Sequence, residues 1–326
     1  MAATARQPST SVVICAYTLD RWRDLVAAVE SVRGETADGE VVVVVDHNDE
    51  LRSRLEGAFD DLVVVANDGP PGLSGARNTG VAAASGEIVA FLDDDAVADS
   101  GWLEHLRTCF TDPSVAGAGG SVEPRWSDRR PRWFPEEFDW VVGCTYRGLP
   151  TVTAPIRNPI GANMALRRRL VDEIGGFTSA LGRGGTNTMG CEETDLFIRA
   201  RQSFPSSIWL FEPMARVRHR VPSERATFRY FVQRCYGEGK SKALLVGRVG
   251  TSSGLESERR YVLHVLPAGV LRGLLDPFVR RRPDGLGRAA AIAIGLAATT
   301  VGYARGRIPD LVRRPSVASA EKRLAT

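Results

Sequence analysis

The stretch GLSGARNTGVAAASGEIVAFLDDDA, Gly72–Ala96, carries a helix, a turn, a buried strand and an acidic strand end in immediate succession. Ser74–Ala84 is rich in small residues and stops at Ser85–Gly86. Ile88–Leu92 is apolar without alternation, the pattern of a strand covered on both faces, and it runs into Asp93–Asp94–Asp95. Toward the N-terminus the same rhythm recurs. Ser11–Ala16 is a short apolar run, and Trp22, Leu25, Val26 and Val29 then fall at helical spacing. Val41–Val45 is five valines in a row, too β-branched for a comfortable helix, and Leu62–Ala66 repeats the strand pattern. Strand and helix in alternation predict an α/β fold, a doubly wound and mostly parallel sheet with right-handed crossovers. Ligands of such sheets sit beyond the carboxyl ends of the strands, so the polar groups just after each strand are the candidates for chemistry.

Downstream the chain changes character. From about Pro113 to Pro159 it is rich in Trp, Pro and Arg, with Trp126, Trp133, Phe134 and Trp140 suited either to offer stacking faces to a ligand or to form a packed lid. A helix is expected over Arg167–Ile174, ended by Gly175–Gly176. A glycine-rich loop, Leu181–Gly190, leads into Cys191-Glu192-Glu193-Thr194-Asp195 and a helix through about Arg201, and Phe228–Leu245 reads as another helix. Two apolar segments flanked by arginines follow, Val262–Val279 and Ala289–Tyr303. The second is short of the ~20 residues of a spanning helix. In the first, Leu263, Leu266, Val270, Leu274 and Phe278 lie at roughly helical spacing ahead of Arg280–Arg282. That pattern suits either an anionic bilayer or packing on the body of the protein.

The 326 residues carry a net charge of only +3, which gives no electrostatic case for nucleic acid. The balance is uneven: residues 276–326 are net +6 and residues 1–275 net −3. The five cysteines (Cys15, Cys109, Cys144, Cys191, Cys235) form no CxxC pair, so neither a disulfide framework nor a zinc knuckle is expected and a reducing cytosol is the expected setting. The start, MAATARQPST, lacks the basic and apolar blocks of a signal peptide.

Three adjacent carboxylates at a strand end repel one another unless a cation compensates. Asp93–Asp95 therefore suit a hard divalent ion, Mg²⁺ or Mn²⁺, bridging to a diphosphate, and also read as a solvated turn with Asp95 capping a helix. Asp46 stands at the equivalent place after Val41–Val45, ahead of His47, Asn48 and Asp49. It can accept hydrogen bonds from a base or ribose, or simply close a turn. Arg77 is placed to meet a diphosphate near a helix start, or to be an ordinary helix arginine.

SVVICAYT (11–18), VVVVVDHND (41–49), the Gly72–Ala96 block, GANMALRR (161–168), GGF (175–177) and CEETDL (191–196) occur in the order and approximate spacing of family 2 glycosyltransferases with the GT-A fold. The resemblance covers about residues 11–240, and the long glycine-to-aspartate block is its specific part. It implies transfer of a sugar, with inversion, from a nucleotide diphosphate donor, usually UDP-linked, to a hydroxyl acceptor: a glycan, a lipid-linked saccharide or a small molecule. It implies a nucleotide-sugar half over 1–115, an acceptor and catalytic half over 116–245 and a basic helical extension over 246–326. Ala16, Tyr17 and Asp46 then hold the nucleoside, Asp93 lies near the ribose, and Asp94 is among the donor-binding residues. Asp95 is the metal ligand, with His219 as a further one. The family usually has Glu-Asp before its catalytic helix, with the second acid as base. Here the pair is Glu192–Glu193, with Glu193 the expected base and Asp195 orienting the loop or binding acceptor hydroxyls. Gln233-Arg234-Cys235-Tyr236 lacks the Trp of the processive synthases' QxxRW motif, so processivity is not implied. The rival readings are a sugar-nucleotide nucleotidyltransferase, which wants a glycine-rich loop after the first strand where Cys15–Trp22 has none, and an idle nucleotide-sugar-binding scaffold at the membrane. The expected location is cytoplasmic, peripheral at the inner face of the cell membrane.

Overall fold

The computed structural model describes residues 8–35, 39–179, 192–249, 256–279, 281 and 283–312. The glycine-rich loop Leu181–Gly190, Cys191, Arg280, Arg282 and the basic residues beyond 312 lie outside them. The N-terminal half alternates strand and helix as the hydrophobic pattern predicts: β1 (Thr10–Ala16), α1 (Trp22–Arg33), β2 (Glu40–Val45), α2 (Asp49–Ala58), β3 (Val63–Ala66), α3 (Leu73–Ala83) and β4 (Ile88–Asp93). β1 pairs in parallel with β2 and β4, and β2 with β3. Alternate residues of each strand enter opposite cores. Val12, Ile14, Val43 and Ala90 join the core under α1, whereas Val13, Val42, Val44 and Val89 pack with α3 and Phe177. Two covered faces explain the unbroken valine run. Gly80 lets α3 approach the sheet, since a Cβ there would stand 2.4 Å from Val13 Cγ1.

The sheet then continues with mixed direction through β5 (Ala96–Ala98), β6 (Val115–Trp126), β7 (Ala154–Pro155), β8 (Asn163–Arg167) and β9 (Ile208–Val221), in the order β3-β2-β1-β4-β8-β6-β9-β5, with β7 on β9. Between these strands lie α4 (Trp102–Cys109), α5 (Arg168–Ile174) and α6 (Glu192–Ser203). One sheet thus spans both sequence halves. This is the GT-A arrangement that the resemblance implies, a curled sheet flanked by helices.

The C-terminal region is α7 (Phe228–Val249), α8 (Glu256–Arg260), a π turn (Tyr261–Val265), α9 (Leu266–Val279) and α10 (Asp284–Val312). The last helix is longer than the sequence pattern predicts. Ala289–Tyr303 is the middle of a 29-residue helix, and its stretch Asp284–Ile308 is long and apolar enough to cross a membrane, as is Glu258–Val279. Arg305 and Arg307 bound the apolar run but continue the helix, because arginine is a good helix former. α10 packs along α7 through glycines. A Cβ on Gly239 would lie 2.0 Å from the Thr299 carbonyl oxygen, and one on Gly302 2.1 Å from that of Tyr236. The aromatic segment is mainly a packed hub rather than an open platform. Trp133 and Phe134 meet Phe231 of α7 edge-on, and Trp140 Nε1 donates to the Tyr261 hydroxyl at 3.1 Å.

Candidate active site

Strand ends at one edge of the sheet supply the site. β1 stops at Ala16, and the Asp46 backbone N–H donates to the Ala16 carbonyl at 2.8 Å, which locks the two strand ends together. The Asp46 carboxylate is held from both sides. It accepts from Asn67 Nδ2 at 2.6 Å and from the Gly72 backbone N–H at 2.8 Å, where Gly72, at φ 114°, occupies a backbone region that other residues rarely adopt. Asn67 follows β3 directly, and the rule that polar groups after strands matter points to it as much as to Asp46. Tyr17 is exposed, with the Arg21 guanidinium 5.5 Å from its ring centroid.

β4 delivers Asp93, and the chain turns at once into β5, so Asp95 caps no helix. β5 pairs antiparallel with β9, placing Ala96 opposite His219. The Arg220 backbone N–H donates to the Asp95 carbonyl at 2.8 Å. This register sets His219 Nε2 3.1 Å from Asp95 Oδ1. Asp93, Asp95 and His219 each offer one ligand atom within 4.8 Å of the others. Two carboxylate oxygens and an imidazole nitrogen suit Mn²⁺ or Mg²⁺, so the residues present fit a divalent ion. Asp94 turns away from this group. Arg21 Nη1 lies 2.8 Å from Asp94 Oδ1 and 3.1 Å from Asp95 Oδ2, while Asp94 Oδ2 is buried without a hydrogen-bond partner among the described residues. Burial pushes the Asp94 carboxyl up despite Arg21. Burial acts in the same direction on Asp95, but there the His219 hydrogen bond and charge, with Arg21 and Arg225, outweigh it and hold the group below the usual carboxylate range. Sequence reasoning misses Arg21, because nothing local marks it as the partner of acids some seventy residues away.

α6 begins at Glu192. Glu192 is buried and committed, with Oε1 3.0 Å from Arg77 Nη1. Arg77 also donates to the Gly161 carbonyl at 3.2 Å, stands 3.8 Å from Asp93 Oδ1, and is flanked by the rings of Phe91 and Phe177. It is a buried strut between the two acidic motifs rather than a solvated helix arginine. Glu193 is half-buried and lines the cleft. Asp195 is fully buried, accepting from Thr178 Oγ1 at 2.9 Å and from Arg199 Nε at 2.8 Å. The cleft encloses about 1340 Å³ and joins Asp93, His219, Glu192 and Glu193 at one end to residues of α7, α9 and α10 at the other.

The family model for Glycosyl transferase family 2 matches residues 11–175. A glucosyl-dolichyl phosphate glucuronosyltransferase of Haloferax volcanii is 35% identical over 240 residues, covering 72% of this chain and 76% of that protein. Among solved structures, a Pyrobaculum calidifontis mannosyltransferase in complex with GDP-Man and Mn²⁺ superposes with a TM-score of 0.56 at 16% identity, over 90% of this chain and 87% of that one. GalNAc-T7 with UDP, GalNAc and Mn²⁺ gives 0.53 at 18% identity, over 79% of this chain and 55% of that one.

Proposed function

The chain belongs to glycosyl transferase family 2 and is a glycosyltransferase, and from that premise we propose that it moves a sugar with inversion from a nucleotide diphosphate donor, UDP-linked, to a hydroxyl of a lipid-linked saccharide. The observation that carries the reading is the cleft itself, which Asp93 and His219 of the Asp93–Asp95–His219 group line together with Glu193. Asp93, Asp95 and His219 would hold Mg²⁺ or Mn²⁺, which supplies charge stabilisation for the departing diphosphate. Ala16, Tyr17 and Asp46 receive the nucleoside: the Asp46 oxygens are aimed by Asn67 and Gly72, and the exposed Tyr17 ring offers a stacking face. Arg21 and Asp94 position Asp95.

An inverting displacement needs one base on the acceptor hydroxyl, opposite the leaving group. Glu193 fills that role. Glu192 is bound to Arg77, and removing a proton from the acceptor with it would break a buried ion pair. Arg77, fixed by Glu192 and Gly161, adds positive charge beside Asp93 where negative charge develops on the leaving group. Asp195 positions the helix start through Thr178 and Arg199.

The lipid-linked acceptor draws on the Haloferax relative, whose name places its acceptor on dolichyl phosphate, and on the C-terminal helices. α7 carries Arg234, Glu238, Lys240 and Lys242 and does not belong inside a bilayer. α10 is bound along it by glycine crossings. The α9–α10 pair therefore lies in the membrane plane rather than across it. Leu263, Leu271, Leu274, Leu275 and Phe278 (83% exposed) face outward, and Arg280–Arg282 follow them in the chain as partners for anionic headgroups. The protein then works as a peripheral enzyme on the cytoplasmic face. A panel of nucleotide sugars with Mg²⁺ or Mn²⁺, read by nucleotide release, tests the activity. One donor should respond, and Asp95→Ala should lower its turnover more than a thousandfold while the thermal transition persists. An unaffected Asp95→Ala enzyme would remove the metal reading.

A further inference from the structure

The corner after β2 holds a polar side chain that the reaction described above does not use. His47 follows Asp46 with φ 52°, in the left-handed region, where glycine or asparagine costs least. The corner is fixed on both sides. The Asp46 backbone N–H is bonded to the Ala16 carbonyl. Asn48 caps α2 by accepting from the Leu51 N–H at 2.9 Å, and its Nδ2 donates to the Tyr17 carbonyl at 3.1 Å. His47 therefore stands between two residues tied to the end of β1, and its Nδ1 lies 2.8 Å from Asp46 Oδ1. A carboxylate only accepts, so Nδ1 carries the ring proton and, in the neutral imidazole, Nε2 is left as an acceptor. Nε2 has no hydrogen-bond partner among the described residues, and the side chain is 48% exposed.

Asp46 itself has little acceptor capacity left. Oδ1 receives both His47 Nδ1 and Asn67 Nδ2, and Oδ2 receives the Gly72 N–H. Two donors fill the lone pairs of one oxygen, so a nucleoside at this corner meets one open carboxylate position and one open imidazole nitrogen. A residue needed only to turn the chain would be glycine and would offer no such acceptor. An acceptor close to the exposed Tyr17 ring suits a flat base that carries a ring N–H on its edge. Uracil presents one at N3 and guanine at N1, whereas cytosine, of the same size as uracil, presents a lone pair at N3. We propose that His47 is a specificity-determining residue of the nucleotide site, its Nε2 accepting from the N3–H of uracil. The proposal rests on the nucleotide-sugar reading and adds to it the residue that tells uracil from cytosine.

The test titrates the full chain calorimetrically with UDP, N3-methyl-UDP, CDP and GDP in the presence of Mn²⁺, at about pH 8, where an ordinary imidazole is neutral. UDP should bind about tenfold more tightly than CDP or N3-methyl-UDP, the worth of about one hydrogen bond. His47→Gly removes the ring and relaxes the backbone. It should bring UDP down to the level of CDP while CDP itself changes less than about twofold. A residue that only turns the chain predicts no change, or an equal loss for UDP and CDP, and either result overturns the proposal. Equal binding of UDP and N3-methyl-UDP by the parent chain also overturns it. GDP binding more tightly than UDP, with that preference lost in His47→Gly, overturns the uracil part and supports recognition of a ring N–H. Failure of all four nucleotides to bind would defeat the nucleotide-sugar reading together with the proposal. His47-dependent binding of UDP without nucleotide release from any UDP-sugar would defeat the transferase reading and support the role of His47.

Discussion

The two ends of the cleft are built from opposite materials. At the sheet edge, strand pairing sets the positions of His219, Asp95 and Asp46. Strand pairing brings His219 opposite Ala96, the Asp95 carbonyl accepts from the Arg220 amide, and Asp46 sits one residue past β2. At the helical end, a charged wall of Arg157, Arg234, Glu238, Lys242 and Glu258 is assembled by side chains from the loop before β8, from α7 and from α8, with Arg157 and Glu258 about a hundred residues apart. A strand end tolerates little repositioning, because a register slip of one residue turns every side chain over. A side-chain network can be retuned by single substitutions.

The sharpest way to break this contrast is at Glu193. Glu193→Gln should lower turnover about 10²–10⁴-fold, the usual contribution of a positioned base, while nucleotide-sugar binding measured by calorimetry stays near that of the parent. Glu192→Gln should instead weaken the Arg77 pairing and lower the melting temperature. If Glu192→Gln shows the pure turnover loss, the base assignment moves to Glu192.

A smaller effect separates the helical end from the sheet. Gly302→Val forces a side chain against the Tyr236 carbonyl, and the resulting shift of α10 from α7 should cost about 1–3 kcal/mol in chemical denaturation. Nucleotide-sugar binding should survive, because no strand end is touched. Loss of binding together with stability would show that the two ends are one cooperative unit.

Next comes the outward face of α9. Leu274→Ser with Phe278→Ser should reduce co-sedimentation with anionic vesicles at least tenfold, given about 1.5–3 kcal/mol for each large apolar side chain buried. Activity on a water-soluble acceptor analogue should be unaffected. Undiminished vesicle binding would leave the attachment to the basic segment alone.

The smallest effect is a pH dependence confined to the helical end. Burial opposes ionisation of Glu258, but Lys242 and Arg157 outweigh it and hold the carboxyl at about 2, below its ordinary 4.5. A depressed carboxylate contributes stability that is complete above its unfolded value and is lost as the proton returns. The α8 contact should therefore weaken as pH falls from about 4.5 toward about 2. Glu258→Gln should flatten the profile in that window, and an unchanged profile would place the acid sensitivity elsewhere.

Much of the sheet edge is legible in the sequence. The valine run, the small-residue helix and the acidic strand end fix strand, crossover and strand-end chemistry by local periodicity. Asp95 and His219 as metal ligands are what the family resemblance implies, whereas Asp93, expected near the ribose, joins them only in the folded structure. Arg21, Asn67 and the partnership of Arg77 with Glu192 are not legible in the same way, because an arginine on a helix looks the same whether it faces water or a carboxylate 115 residues away. The limits of the last helix are hidden too, since arginines that end an apolar run do not end a helix.

By itself, then, the sequence determined the α/β architecture, the carboxyl-end edge of the sheet and the acids that stand there, because period, β-branching and strand-end position act over short spans of chain. Tertiary structure alone decided which of two adjacent glutamates is tied up by Arg77, that Arg21 bridges Asp94 and Asp95, and that three cations and two acids from distant segments form one wall. Those outcomes depend on which side chains meet in a buried space of low dielectric, where a charge must find its partner, and no local pattern records that meeting.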